Sequence, residues 1–227
     1  LSRKVFAIEE AFRKQTLRPR METGGAPLDM TESTLGVVGL GRIGAQIAKI
    51  ASAHGVRCVV TMRTPISDQE AAKRGIDRVY PMDGLHEMLT ECDFVVPAVP
   101  ANDETTGLFG KAEYKSMKDS AYMINISRGE VLDEDSTYTA LKENVIAGAA
   151  LDVWWAEDEA GLATDDPERR KWSEKPFWEL DNVFMSPHRS GFTTSMVSGK
   201  LKFIGAQINR LNRGEPLENI VTELSKG

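Results

Sequence analysis

The rhythm of hydrophobic and polar positions changes near residue 34. Before it, residues 3–15, "RKVFAIEEAFRKQ", place Val5, Ile8 and Phe12 on one stripe with charges elsewhere, the period of an amphipathic helix. A polar stretch with Gly24, Gly25 and Pro27 follows and reads as a connector. From Thr34 onward, short apolar runs alternate with helical segments. The runs are "TLGVVG" (34–39), "CVVTM" (58–62), "FVVPAV" (94–99), "YMINI" (122–126), "IAGAALDV" (146–153) and "VFMS" (183–186). The helical candidates lie at 43–54, 68–74, 84–91, 111–117 and 133–143. Apolar runs with little polar alternation, separated by helices, predict a parallel sheet covered on both faces. A weaker strand from Arg78 to Tyr80 completes the set, and a long amphipathic helix, roughly 194–213, closes the chain before a short tail. The expected division is a helix and linker at 1–33, one α/β domain at 34–193, and a C-terminal helix and tail at 194–227.

Composition narrows the partners more than the fold. A formal net charge of −6 argues against a nucleic-acid footprint, which needs a basic face. No apolar run is long enough to span a bilayer. Cys58 and Cys92 lie far apart in no metal or redox motif, and read as reduced core thiols of a cytoplasmic protein. No metal site is expected.

"GLGRIG" (39–44) fits G-x-G-x-x-G directly after a strand and at the opening of a helix. In that place Gly39 permits the tight turn, Gly41 lets the backbone approach a pyrophosphate, and Gly44 lets the helix pack closely on the sheet. The helix opening at Arg42 and Ile43 then turns its N–H groups and positive dipole end toward the phosphates. The fold class predicted is therefore α/β, a Rossmann-type doubly wound parallel sheet, with remnants of a second domain at the termini.

Three further segments put chemistry at strand ends, where ligands bind in open α/β sheets. "INISRG" (124–129) ends a strand at Ile126 and presents Ser127, Arg128 and Gly129; an arginine there can grip a carboxylate with two parallel hydrogen bonds. "GAALDVWWAEDE" (148–159) puts Asp152 at a strand end and Glu157 on the loop beyond. "MSPHRSG" (185–191) places His188, one of three histidines, just past the last apolar run.

In this order "GLGRIG", "NISRG", "LDVWWAE" and "SPH" resemble the motifs of the D-isomer-specific 2-hydroxyacid dehydrogenases, from about Thr34 to Val221. "PANDETTGLFG" (100–110) looks like the family's loop after its fourth strand. The resemblance implies hydride transfer between a nicotinamide cofactor and a small 2-keto or 2-hydroxy acid. It makes Arg128 the carboxylate binder, His188 the acid/base and Glu157 its partner, and it gives Asp152 the nicotinamide carboxamide. It also places Val99, Pro100, Thr105, Ile126, Ser127 and Gly191 around the cofactor, and implies a homodimer. Histidine suits a proton donor to a carbonyl oxygen that gains charge, and a nearby carboxylate favours its donor form.

The chain departs from the family's pattern in three places. The family's substrate-binding domain is built largely ahead of the glycine fingerprint, where this sequence has only a helix and a linker. Asp158 replaces the usual proline after Glu157, and "DEAGLATDDPERRKWSEKP" (158–176) extends the loop beyond it. Arg189 follows His188, where small or aliphatic residues are usual, and brings a second cation. Two other readings stay open: a dinucleotide-sensing binding protein of the corepressor type, and an inactive cofactor-domain fragment. Retention of Arg128, Glu157 and His188 together favours the enzyme.

Cofactor choice follows from the second strand. A carboxylate about 20 residues past the glycine turn would bind the adenosine ribose and repel a 2′-phosphate. Here the strand ends at Met62, Arg63 and Thr64 come next, and no acid appears before Asp68. A guanidinium and a hydroxyl can both hold a phosphate. NADP is favoured, with NAD as the alternative.

Overall fold

The computed structural model describes residues 3–14, 28–156 and 172–220. They form two compact units, Leu1–Pro187 and His188–Gly227, each described here by itself. The first opens with helix α1 (Val5–Arg13) and then alternates strands and helices: β1 (Thr34–Val38), α2 (Arg42–Ala53), β2 (Arg57–Thr61), α3 (Asp68–Lys73), β3 (Arg78–Tyr80), α4 (Leu85–Glu91), β4 (Phe94–Pro97), α5 (Lys111–Ser116), β5 (Tyr122–Asn125), α6 (Glu134–Lys142), β6 (Gly148–Leu151) and β7 (Val183–Met185). The second holds α7 (Thr194–Asn212).

The seven strands are all parallel and lie in the order β3-β2-β1-β4-β5-β6-β7. The order reverses at β1, so the loops after β1 and β4 diverge and leave a crevice at their carboxyl ends. Side chains alternate across the sheet. Val37, Cys58 and Val60 pack on one face with Ala48, Ala51 and Ala71 of α2 and α3. Val38, Val59, Val95 and Met123 pack on the other with Leu85, Met88, Tyr114, Ala140 and Leu141 of α4, α5 and α6. Burial on both faces is why these strands read as unbroken apolar runs.

Cover is less complete at the other end of the sheet. Ile124, Ala150 and Phe184 are register partners across β5, β6 and β7, and Phe184 is 40% exposed. The expected stripe of α1 is also largely uncovered: Val5 and Phe12 are exposed. In the second unit, α7 buries none of its residues. Val197, Leu201, Ile204, Ile208 and Leu211, spaced four and three apart along one helical face, are all exposed. Among the described residues no helix is long and apolar enough to cross a membrane, and no group of three or more His, Cys, Asp or Glu could hold a metal ion.

Candidate functional site

Because all strands of the first unit run the same way, their carboxyl ends share one edge, and the candidate residues of the unit collect there. The turn after β1 carries three glycines in three different situations. Gly39 adopts φ +95°, and a Cβ there would lie 2.7 Å from Val99 Cγ1, so the turn is pressed against the residue that follows β4. A Cβ on Gly44 would lie 2.1 Å from Gly39 O, so α2 sits directly on the turn. A Cβ on Gly41 would meet nothing within 4 Å; the space over that backbone is open.

The helix that starts there has the character of an anion site. No side chain caps α2 and no acid lies in its first turn, which begins with Arg42 and Ile43. By contrast α3 and α6 are capped by Ser67 and Asp133 and carry acids in their first turns. The N–H groups of a helix N-terminus and the helix dipole together favour a phosphate. The open backbone at Gly41 fits the approach of a dinucleotide's pyrophosphate.

Beyond β2, Arg63 and Thr64 are exposed on the same edge. Arg63 Nη1 donates to Glu104 Oε2 at 2.9 Å. Pro100 and Thr105 lie in the loop beyond β4, where the Thr105 hydroxyl donates to Pro100 O at 2.5 Å and the Asn102 N–H donates to Thr105 Oγ1 at 3.0 Å. Thr105 therefore serves the shape of its own loop first.

The arginine loop is built by a residue that lies in the motif but to which the motif reading assigned no role. Asn125, fully buried at the end of β5, accepts from Ser127 N at 3.0 Å and from Ser127 Oγ at 2.8 Å, and donates from Nδ2 to Arg128 O at 2.8 Å. These bonds carry the chain past Ile126, bury Ser127 and leave Arg128 exposed. One Arg128 N–H donates to Ser127 O at 2.7 Å, which turns the guanidinium along the loop. The signal was an asparagine two residues ahead of a serine at a strand end, the pattern of a side-chain turn.

The next strand end joins this loop. Asp152 is buried, and its backbone N–H donates to Asn125 O at 3.0 Å. A Cβ on Gly129 would lie 2.3 Å from the Trp154 carbonyl, so only glycine lets the two segments touch. Trp155 Nε1 donates to Leu132 O at 2.6 Å, and its ring stacks on Phe177 at 5.2 Å. Trp154 Nε1 donates to Ser186 O at 2.9 Å, which ties the loop after β6 to the chain just past β7. The loop beyond β4 joins as well: Gly107 N donates to Glu130 O at 2.7 Å and Phe109 N to Val131 O at 3.1 Å.

The glycine turn, Val99, the arginine loop and Asp152 thus form one connected edge. Glu157, and the loop from 158 to 171, lie outside the described residues. His188 and Gly191 belong to the second unit, where both are exposed. His188 has φ 51°, left-handed backbone that histidine enters more readily than most residues but that is still uncommon. The Arg189 guanidinium lies 5.3 Å from the Phe192 ring centre, a cation–π contact.

Comparison with known proteins gives the same lineage from three sides. A glyoxylate reductase of Korarchaeum cryptofilum is 33% identical over 216 residues, covering 95% of this chain and 59% of that protein. The crystal structure of a Lactobacillus jensenii D-lactate dehydrogenase with NAD+ superposes with a TM-score of 0.82 at 25% identity, over 98% of this chain and 64% of that one. An NADPH-dependent glyoxylate/hydroxypyruvate reductase of Sinorhizobium meliloti, in complex with NADP and sulfate, gives 0.75 at 26% identity, over 97% and 64%. The chain thus spans about six tenths of the length of these relatives. The model of the D-isomer specific 2-hydroxyacid dehydrogenase NAD binding domain matches residues 1–190, and the chain belongs to that family.

Proposed function

We propose that this chain is the nicotinamide-dinucleotide-binding part of a reductase acting on a small 2-keto or 2-hydroxy acid. One observation carries the reading: the open glycine turn and the loop that presents Arg128 stand on the same edge of one parallel sheet, joined through Val99 and the loop beyond β4. The dinucleotide would lie over Gly39, Gly41 and Gly44 with its pyrophosphate on the N-terminus of α2. Val99, Pro100, Thr105, Ile126, Ser127 and Gly191 would border it, and Asp152 would accept from the nicotinamide carboxamide. When bound, the nicotinamide supplies or takes up the hydride.

The protein's own groups bind, orient and move a proton. Arg128 holds the substrate carboxylate and adds positive charge beside the carbonyl oxygen as that oxygen becomes an alkoxide. His188, in the imidazolium form, gives its Nε2 or Nδ1 proton to that oxygen and is left neutral; oxidation runs the same transfer backwards. Glu157 is assigned the carboxylate that steadies the imidazolium. NADP is the preferred cofactor on this reading, because Arg63 and Thr64 follow β2 where an acid would select NAD. The functional unit is a homodimer in the cytoplasm, a setting in which the buried thiols Cys58 and Cys92 stay reduced.

The direct test is reduction of glyoxylate, hydroxypyruvate and pyruvate with NADPH and NADH, in the assembly that shows full turnover. His188→Ala is expected to lower turnover by roughly 10²–10⁴, and Arg128→Ala to raise KM above all. Full activity in His188→Ala would end the assignment. The 227 residues by themselves are expected to bind dinucleotide but to reduce 2-keto acids far more slowly than a typical ~10 per second. Over a third of the length of the relatives they match lies outside the match, and a cleft with fewer walls excludes water poorly.

A further inference from the structure

Arg63 stands two residues beyond β2, and Glu104 lies in the loop beyond β4. These two strands flank β1 on either side, so their loops straddle the glycine turn. The two side chains close that gap, with Arg63 Nη1 donating to Glu104 Oε2 at 2.9 Å. The pair is open to water: the side chains keep 77% and 67% of their accessible surface. Exposed pairs of this kind contribute little to stability. Yet one end of this pair is held in place. Asn102 Oδ1 accepts from Glu104 N at 3.0 Å and from Thr105 N at 3.1 Å, so Glu104 projects from a turn fixed by a side chain.

A carboxylate and a phosphate ask for the same guanidinium fork. A phosphate that arrives at Arg63 must displace Glu104, or share the guanidinium with a carboxylate that repels it. A ribose 2′-hydroxyl makes no such demand. We propose that Glu104 is a specificity-determining residue of the dinucleotide site: its carboxylate competes with a ribose 2′-phosphate for Arg63 and so limits the preference for NADPH over NADH. This rests on the reading that the dinucleotide lies over the glycine turn with its adenosine end at Arg63.

The test is a fluorescence titration of the wild type, Glu104→Gln, Arg63→Ala and the double variant with NADPH and with NADH at low salt. Glu104→Gln is expected to tighten NADPH binding about two- to fivefold, the range of an exposed ion pair, and to leave NADH within about 1.5-fold. In the Arg63→Ala background the same substitution is expected to change NADPH binding by less than about 1.5-fold, since the competition acts through Arg63. An equal effect on both cofactors, no effect on NADPH, or an undiminished effect without Arg63 would overturn the proposal. A wild type that prefers NADH, with Glu104→Gln still raising NADPH relative to NADH, refutes the cofactor preference and leaves the role of Glu104 standing. A wild type that binds neither cofactor overturns the dinucleotide reading and this inference with it.

Discussion

The three glycines of the turn after β1 are physically unlike one another, and substitution should separate them. A methyl group on Gly44 collides with Gly39 O at 2.1 Å, a backbone atom that cannot swing aside. Gly44→Ala is therefore expected to cost about 1–3 kcal/mol or more, the usual range for overpacking. Gly41→Ala meets open space, and its stability cost should stay within the ~1 kcal/mol that separates glycine from alanine at an N-cap. Gly41→Ala should nevertheless weaken dinucleotide binding, because the methyl would occupy the surface that the pyrophosphate approaches. Urea melts of both variants beside a binding titration check this; a Gly41→Ala chain that binds as well as the wild type would contradict it. The two thiols make a second prediction. Burial pushes Cys58 up to about 11 and Cys92 up to about 12, against roughly 8.5 for an exposed thiol. A proton held more tightly in the folded state stabilises it fully below the unfolded value, and that stabilisation is lost as pH rises toward the folded values. Thermal stability should thus fall between about pH 8.5 and 11, and neither thiol should react with a disulfide reagent at pH 8 before the chain unfolds. Fast labelling of the native chain would contradict the burial.

Strand ends, more than strand centres, show what sequence can and cannot reveal here. The apolar run 94–99 overshoots β4, which stops at Pro97, because Val99 is apolar for a different reason: it packs on Gly39. The run 146–153 overshoots β6 at both ends, since Ile146 and Val153 are buried core residues outside the strand. Hydrophobic pattern reports burial, and burial does not end where hydrogen-bonded pairing ends. The helices and the glycine turn were legible to within a residue or two, because caps, period and glycines act locally. The pairing of Arg63 with Glu104 was not, because two exposed charges 41 residues apart leave no pattern. The left-handed backbone of His188 left none either. Asn125 illustrates the middle case, visible in its motif yet assigned no role. Asn125→Ala removes the acceptor of Ser127 N and Oγ and the donor to Arg128 O. It should cost about 1–3 kcal/mol for buried partners left unsatisfied, and should weaken 2-keto acid binding more than dinucleotide binding. An unchanged urea midpoint would show that the loop is held by something else.

The parallel sheet gathers the described candidate groups of the first unit at one edge, while apolar faces elsewhere stay uncovered. The alternation of apolar runs and helices gave away the sheet, since a strand buried on both faces has no other way to read. The exposure of α7 was not legible, because an amphipathic stripe predicts burial without naming a partner. With Val197, Leu201, Ile204, Ile208 and Leu211 exposed along one face, the homodimer reading predicts that Ile204→Glu with Ile208→Glu shifts the chain toward monomer in light scattering at micromolar concentration. A wild type already monomeric there would count against self-association. The central claim is that the carboxyl edge of this sheet holds a nicotinamide dinucleotide. Trp154 and Trp155 beside the arginine loop offer a native reporter, so the most direct measurement is quenching of tryptophan fluorescence as NADPH is added to the wild-type chain. The account predicts a saturable, one-site curve that NADH reproduces at roughly tenfold higher concentration, about 1.4 kcal/mol weaker. A linear, unsaturable response to both cofactors would contradict it.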